Sequence, residues 1–589
     1  MVRIFHLMSS QFRFPSPVSD SVHQSLYKTH AATEMAIFTR LLAAMGSSST
    51  PALFLVVILP CLLFSLLWFL KRTWWDPIRI TRMMEAQGIK GPAYTFFRGS
   101  TAESSKLLAG AMAKPMELSH NVFPRVQPHF SSWFKTYGKT IVFDLFRQDL
   151  VLLSDACGLQ PGSGRNVLIW QGPTPRLVVG DAELVKEILN DRMGVFPKGE
   201  TPEFFKKLLG DGLAMTKGKK WARHRKLANH SFRAECIKRM IPEVVEEVES
   251  MMARWEAMEG REVDLSKEFT VFASEIISRF AFGSSYAEGN AIFTNIDRLA
   301  LIVARNSFNV RLPLVRKLLR SPDDIESKRL EEEIRETILK IVKKREMMKE
   351  KGDINGYGDD LLGSLLSALH EANDEERITL QDLIDECKTF YFGGHETTAT
   401  MLSWTFLLLA TNPEWQEKAR AEVVEIFGDR SLTSDDAAAV AKLKTLAMIL
   451  NESLRLYPPV LNIMRVTERK TMLGKLVVPK GMELHLSPLI IHHDRSVWGD
   501  DAQLFRPERF AEGVATAVAK ARGGAAFFPF GGGQRVCVGQ GMAMLEARVA
   551  LAMILRRYAF TISPGYVHSP IPRITIRPQY GIQVLLQKL

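Results

Sequence analysis

Residues 529–555 read PFGGGQRVCVGQGMAMLEARVALAMIL, a glycine-rich loop that runs into a long helix-forming stretch. The three glycines at 531–533 let the backbone turn tightly and approach a flat ligand closely. Gly539 then opens a helix, whose first amide N–H groups and dipole point toward the sulfur of Cys537 and favour its thiolate. The stretch therefore predicts a thiolate ligand for a metal, with an inert buried cysteine as the alternative.

The residues around this loop weigh against a phosphate site. The GK[ST] ending of a P-loop is missing, and so is the dinucleotide-binding pattern GxGxxG. Arg535, two residues before Cys537, offers a guanidinium fork that suits a carboxylate. On these residues alone, the metal-thiolate role and the core cysteine both stay open.

The composition bounds the class of protein. Of 589 residues, 46% are hydrophobic and 24% charged, which excludes a disordered, collagen-like or multi-span membrane chain. The net charge of +11 is mildly basic and shows no basic tail, so we predict no nucleic-acid partner. Five cysteines lie too far apart for a CxxC or zinc-ligand pattern, which indicates a reducing compartment: Cys61, Cys157, Cys236, Cys387 and Cys537.

An uncharged run at 52–70, ALFLVVILPCLLFSLLWFL, is close to the roughly 20 residues that span a bilayer core. It is longer than the apolar part of a signal peptide, and no small-residue cleavage site follows it. Lys71 and Arg72 come directly after it, so the positive-inside rule places the rest of the chain in the cytosol. We predict a single-pass transmembrane anchor at 52–70, with a cleaved signal peptide as the alternative.

The other boundaries follow from local composition. Residues 1–51 are predicted to be an extension that is disordered or outside the working protein, with a transit peptide as the alternative for its first 34 residues. A basic hinge with Pro and Gly covers 71–92, and one large domain covers 93–589. Residues 144–165 separate two strand-like pieces and read like an insertion, either a surface loop or a piece foreign to the working protein.

Periodicity predicts a fold that is mostly α with small β-sheets. Amphipathic helices are expected at about 239–259, 326–351, 380–410, 413–427, 440–457 and 540–558. Strands are expected at 167–171, 176–179, 476–486 and 573–587, the last as a hairpin that turns at 579–581.

The spacing F-x-x-G-x-R-x-C-x-G is met in the loop by Phe530, Gly533, Arg535, Cys537 and Gly539. This spacing resembles the haem-binding loop of the cytochrome P450 family, and the resemblance extends over about residues 77–589. It implies a single large P450-type domain behind the transmembrane helix, haem b as the cofactor, and Cys537 as the axial ligand of the iron. Thiolate ligation favours cleavage of the O–O bond.

Glu452 and Arg455 lie three positions apart on one face of a helix, where an ion pair can form. They resemble the ExxR motif of the family, and Arg509 of FRPERF matches the third member of the same network. The resemblance implies a buried structural trio that locks the loop holding Cys537.

Trp221 and Arg225 match the WxxxR motif of the family on a helix. Arg465 follows a Tyr-Pro-Pro bend, where the clan often has another arginine. The resemblance implies that these residues hold the haem propionates. The alternative, a solvated basic face, is strong only for Lys219 and Lys220.

Residues 393–398 read GGHETT and interrupt an otherwise apolar helix. A zinc site of the HExxH type is excluded because Ala399 stands where the second histidine would be. The stretch resembles the oxygen-activation motif [AG]Gx[DE]T[TS] of the family. It implies a catalytic pair in which Thr397 passes protons and Glu396 relays them from solvent.

Several phrases, among them WARHRKLANHSF and HSPIPRITIRPQYG, resemble the plant non-A-type clan that includes secologanin synthase, cytokinin hydroxylase and brassinosteroid-inactivating hydroxylases. The resemblance implies a monooxygenase of the endoplasmic reticulum membrane, with a cytosolic catalytic domain, that uses O2 on a small hydrophobic substrate. Because the chain has no flavin or nicotinamide fingerprint, its electrons must come from outside. The resemblance implies that a cytochrome P450 reductase supplies them from NADPH.

Two other functions stay open. A haem-thiolate isomerase or dehydratase would use no O2, and its helix is expected to lack the Glu-Thr-Thr set. A membrane-anchored protein that no longer binds haem is the alternative from another class, and the intact Cys537 and ExxR motifs argue against it. The substrate can be a terpenoid, steroid, hormone or fatty acid. The substrate-facing regions are largely apolar, and Asn462 is the polar residue placed to read a substrate hydroxyl.

Overall fold

The computed structural model describes residues 59–138, 165–257, 260–309, 320–521 and 524–589. The chain divides into two compact units, Met1–Arg72 and Thr73–Leu589. The predictions for the extension at 1–51 and for the insertion at 144–165, except Arg165, fall outside the described residues.

In the first unit, the structure describes helix α1 (Leu59–Leu70), whose leucine and phenylalanine side chains are largely exposed. A π-helical turn, Lys71–Trp75, follows it along the chain. Within the described ranges, no helix combines the length and the apolarity that a bilayer crossing needs. The predicted anchor at 52–70 begins outside those ranges.

The second unit is mostly helical. Its helices are α2 (Asp76–Glu85), α3 (Thr101–Met112), α4 (Phe123–Val126), α5 (Pro128–Tyr137), α6 (Ala182–Leu189), α7 (Glu203–Leu209), α8 (Gly218–Ser231), α9 (Ala234–Arg239), α10 (Ile241–Glu256), α11 (Leu265–Phe282), α12 (Tyr286–Arg305), α13 (Pro322–Lys351), α14 (Leu361–Leu369), α15 (Leu380–Thr411), α16 (Pro413–Phe427), α17 (Ala437–Ala441), α18 (Lys444–Leu456), α19 (Pro488–His492), α20 (Arg495–Trp498), α21 (Val514–Lys520) and α22 (Gln540–Arg557). The six helices predicted from periodicity are confirmed as α10, α13, α15, α16, α18 and α22, with shifts of a few residues at their ends.

Helix α15 is the centre of the domain. It starts at a capping box, in which the Thr379 side chain and the Asp382 carboxylate satisfy each other's backbone N–H groups. Apolar residues cover most of its circumference, so it is buried along nearly its whole length. It packs along α11 and also contacts α7, α14, α18 and α22. Residues on this helix are therefore held in place by several neighbouring helices in the interior of the domain.

Four small sheets accompany the helices. The largest has the strand order β1 (Asn166–Gln171), β2 (Thr174–Val179), β7 (Glu483–Leu486) and β4 (Ile463–Val466), in which β2 and β7 run parallel. A second sheet joins β3 (Glu262–Asp264), β11 (Gln583–Lys588) and β8 (Tyr558–Ile562). Two hairpin-like pairs are β5 (Thr471–Leu473) with β6 (Leu476–Val478), and β9 (Pro570–Pro572) with β10 (Ile576–Pro578).

Two strand predictions from the sequence were wrong in detail. The run at 476–486 is two strands in different sheets, because the chain turns at Gly481, where φ is 78°. The run at 573–587 is no hairpin: a turn occurs at Gly581, but β10 pairs with β9 while β11 pairs with β3 and β8. The predicted hinge at 71–92 contains the helix α2, which buries Ile80 and Met84.

Candidate active site

A cavity of about 1790 Å³ lies between α15 and the glycine-rich loop. Its walls include residues of α7, α8, α15 and β4, and Cys537 and Thr397 both line it. Most of the surface that faces it is apolar, with Ile277, Val303 and Phe390 among the contributing side chains. Residues from two distant stretches of sequence thus line the same cavity.

The backbone geometry of the loop depends on glycine. Gly531 and Gly533 have φ values of 74° and 62°, in the left-handed region that L side chains rarely adopt. A side chain at 533 would also collide with the backbone of Leu189. The N–H of Cys537 donates to the carbonyl of Phe530 at 2.9 Å and closes the turn.

The Cys537 sulfur is enclosed by the protein body, yet it is open to the cavity. The amide N–H groups of Gly539 and Gln540, at the start of α22, donate to it. Burial raises the pKa of the thiol, while the Gly539 amide, the charge of Arg225 and the Gln540 amide oppose that rise. A metal cation at the sulfur would add the charge that removes the proton outright.

Basic side chains cluster at the edge of this loop. The Arg535 guanidinium stacks over the Trp221 ring at 4.3 Å and donates to the Thr216 carbonyl at 2.8 Å. Arg225 Nη1 donates to the Val536 carbonyl at 2.6 Å. Burial, with the like charges of Arg465 and Arg225, lowers the pKa of Arg535 to about 10.

Lys198 joins Arg225, Arg465 and Arg535 in the same cluster, although no periodic or motif signal pointed to it. Burial and the charges of Arg465 and Arg535 lower its pKa to about 7. Within the described residues, no carboxylate forms an ion pair with these four cations, Lys198 included. Asp191 acts on Arg465 without forming an ion pair and offsets only part of this positive charge. Like charges repel each other, so the cluster favours an anionic ligand. The carboxylates of a haem, beside a thiolate and a glycine-lined loop, fit this set of residues.

The ExxR trio is brought together in the structure. Arg455 donates to both oxygens of Glu452, at 2.8 and 2.7 Å, and both side chains are fully buried. Arg509 lies 3.4 Å from Glu452. Arg455 Nη1 also donates to the carbonyl of His492, whose Nε2 accepts from the N–H of Phe528. The network is therefore connected to the start of the Cys537 loop.

The two residues predicted as a catalytic pair lie on different sides of α15. Thr397 lines the cavity, and its hydroxyl donates to the Gly393 carbonyl at 2.7 Å. Glu396 is buried away from the cavity wall, where Arg577 donates to it at 2.6 Å from Nε and the Thr575 hydroxyl also donates to it. Arg577 bridges in turn to the partly exposed Asp297 at 3.0 Å. The relay role of Glu396 stays a prediction.

Gly393 and Gly394, which precede the predicted catalytic pair on α15, also differ in their surroundings. A side chain at Gly393 would meet nothing within 4 Å, because this position faces the cavity. A side chain at Gly394 would collide with Ile277 of α11. Of the two, only Gly393 opens room in the cavity, while Gly394 permits the close approach of two helices.

Besides Lys198, two other charged residues near the site were missed by reading the sequence. Arg577 was part of a strand-like run, and its partner Glu396 is 181 positions away. Glu546 lies in the quoted stretch, as an acid within an apolar helix, and Thr398 donates to it at 2.8 Å. That isolated acid was the one signal available from the sequence.

The comparisons with known proteins agree with this geometry. The profile of the family described as Cytochrome P450 matches residues 134–586. Cytochrome P450 CYP749A22 of Panax ginseng is 46% identical over 531 residues, which cover 90% of this chain and 95% of the relative. Cytochrome P450 734A1 of Arabidopsis thaliana is 37% identical over 528 residues, 88% of this chain and 93% of the relative. The chain therefore belongs to the cytochrome P450 family, whose members are monooxygenases that bind haem through a cysteine thiolate.

Proposed function

We propose that this chain hydroxylates a small hydrophobic substrate, of terpenoid, steroid, hormone or fatty-acid type, with O2 and electrons from NADPH. The observation that carries the proposal is the shared cavity: Cys537 and Thr397 both line it, and most of its surface is apolar. Apolar walls bind a hydrophobic molecule through burial of its surface.

The chain's own residues hold the cofactor. Cys537 supplies the thiolate ligand, and the amides of Gly539 and Gln540 stabilise its charge. Arg225, Arg465 and Arg535 bind the propionates, with Trp221 stacked beneath the Arg535 guanidinium. When bound, haem supplies the activation of O2 and the oxidation of the substrate.

Protons reach the cavity through α15. The Thr397 hydroxyl donates to the Gly393 carbonyl, so its oxygen keeps acceptor capacity toward the cavity. Glu396 delivers protons to this position from the outer side of the helix. Because Arg577 holds both Glu396 oxygens, the delivery step requires that this ion pair open.

The electrons come from a membrane-bound NADPH–cytochrome P450 reductase, and the chain is anchored in the endoplasmic reticulum membrane by residues 52–70. Two observations support this placement: the uncharged run in the sequence, and the exposed apolar surface of α1.

The test is the difference spectrum of the reduced protein with carbon monoxide. We expect the Soret band at the wavelength that gives the family its name, and its loss in Cys537→Ser. Cys236→Ser is the matched control, since Cys236 is a buried cysteine on α9 that does not line the cavity. The full chain is compared with a variant that lacks 144–165. The proposal would be refuted if both cysteine variants kept the band, or if neither the full chain nor the variant that lacks 144–165 showed it.

A further inference from the structure

Asn462 lies on the cavity wall just before β4, the strand that carries Arg465. Its side chain is open to the cavity, while the residues that contact it from behind are buried. Because an amide has one accepting end and one donating end, its chemical effect depends on which end faces the ligand. The surrounding hydrogen bonds decide that orientation.

The hydrogen bonds of Gln127 identify the oxygen of the Asn462 amide. Its Nε2 lies 3.4 Å from the backbone carbonyl of Leu461 and 2.8 Å from Asn462 Oδ1, and the Ser487 hydroxyl donates to its Oε1 at 2.7 Å. A backbone carbonyl only accepts, so the end of Gln127 next to it is the NH2 group. The atom of Asn462 that faces this NH2 group must then be its oxygen.

His485 supplies a second donor to the same oxygen. Its Nε2 also contacts Asn462 Oδ1, so this nitrogen carries the hydrogen and donates it. Burial, followed by the charges of Arg176 and His129, lowers the pKa of His485 well below its ordinary value and keeps the ring neutral. Two donors thus converge on the oxygen of Asn462 from the protein side.

The amide nitrogen of Asn462 is left for the cavity. Within the described residues, no protein acceptor bonds to it. Two other hydroxyl groups of the wall already donate to backbone carbonyls of the protein: Thr389 donates to the Leu209 carbonyl at 2.7 Å, and Thr397 donates to the Gly393 carbonyl. A donor left without an acceptor in an apolar site is costly, so a ligand that supplies an acceptor is favoured.

We propose that Asn462 Nδ2 donates a hydrogen bond to an oxygen of the substrate, with Gln127 and His485 as positioning residues that hold the amide in this orientation. The inference rests on the proposed function and narrows it. The substrate is a largely apolar molecule that carries a hydroxyl or carbonyl oxygen, and the bare hydrocarbon skeleton binds less tightly.

The test uses the haem-loaded full chain and three probes of one skeleton: 5α-androstane, and its derivatives with a hydroxyl or a keto group at position 3 or 17. Binding is followed by the shift of the Soret band, which gives Kd for each probe. In the unaltered protein, we expect an oxygenated probe to bind about tenfold more tightly than androstane. In Asn462→Leu, this preference disappears.

Asn462→Asp provides a second, nearly isosteric variant. One of its oxygens still accepts from Gln127 and His485, while the other replaces the donor with an acceptor. An alcohol can donate to that oxygen and a ketone has nothing to donate, so we expect the hydroxylated probe to keep its advantage and the keto probe to lose it. Thr389→Val is the matched control, since its hydroxyl is already engaged, and it should leave the preference unchanged.

The carbon monoxide band of each variant separates the two proposals. If the unaltered protein lacks the band, the proposed function fails. If the band is present, the inference is overturned when oxygenated probes and androstane bind equally, when no oxygenated probe binds, or when Asn462→Leu weakens all probes by the same factor.

Discussion

Glu546 lies in the middle of α22 with its carboxyl group buried, and its hydrogen-bond donor is Thr398. Burial raises its pKa from 4.5 to about 8, and the bond from Thr398 opposes the rise. In the folded protein, this acid is therefore mostly neutral at physiological pH, which limits unpaired charge in the interior.

Replacing Glu546 with Gln should change how stability depends on pH. The unfolded chain releases the Glu546 proton above about pH 4.5, whereas the folded chain keeps it until about pH 8. The stability that the neutral acid contributes is thus complete below the lower value and is lost as pH rises through the window. We expect Glu546→Gln to gain about 1.4 kcal/mol per pH unit relative to the unaltered protein within this window.

Urea unfolding at about pH 5.5 and about pH 7.5 measures this difference. Curves that differ by the same free energy at both pH values would show that Glu546 ionises normally in the folded state.

Among the elements, the contact between α11 and α15 depends on one of two adjacent glycines. A Cβ at Gly394 would lie 2.9 Å from the Cβ of Ile277. This Cβ is the branch-point carbon of the side chain and cannot move aside as a flexible chain end can. Gly394→Ala should therefore force the helices apart, at a cost of about 1 to 3 kcal/mol, and reduce the haem content. Thermal unfolding and the carbon monoxide spectrum measure both effects.

Gly393→Ala is the matched control for that prediction. Nothing lies within 4 Å of the added methyl group, and alanine favours the helix by about 1 kcal/mol. The variant should fold at least as stably as the unaltered protein, while its methyl group changes ligand binding in the cavity. Equal destabilisation by both substitutions would contradict the assignment of the helix contact to Gly394.

Arg577 joins the short β9–β10 pair to α15. Its removal in Arg577→Met leaves the buried carboxylate of Glu396 without a cation, at an expected cost of about 3 kcal/mol. Arg573→Met is the control, because Arg573 pairs with Asp297 and has no ion pair to Glu396. Adding Glu396→Gln to Arg577→Met should restore part of the loss. Equal midpoints of denaturant unfolding for Arg573→Met and Arg577→Met would contradict this account.

Over the whole molecule, the Glu452–Arg455 pair connects α18, the segment from His492 to Arg509, and the Cys537 loop. Arg455→Met should cost about 3 to 5 kcal/mol, because Glu452 is then buried and unpaired. We also expect loss of bound haem, since the segment that holds Phe528 loses its attachment.

Arg506→Met is the matched control for Arg455→Met. Its side chain pairs at the surface with Asp501 and is half exposed, so its removal should cost less than about 1 kcal/mol. Haem content and denaturant midpoints compare the two variants. Retention of haem in Arg455→Met at the level of the control would show that the pair does not hold the loop.

The sequence was sufficient for local features. Helix periodicity predicted the long helices, because the spacing of apolar residues on one face is a property of each segment alone. The strand runs at 476–486 and 573–587 were predicted less well, since the partner of a strand is set by distant residues. Val584 pairs with Ile562 and Val263, which no local pattern contains.

By itself, the sequence determined the family, and it predicted the thiolate loop and the ExxR and WxxxR residues, because each depends on residue types at fixed short spacings. Only the tertiary structure decided that Lys198 joins the arginine cluster, that Glu396 pairs with Arg577, and which end of Asn462 faces the cavity. These features depend on side chains from separate elements meeting in a buried space, where desolvation makes the partner of each polar group decisive.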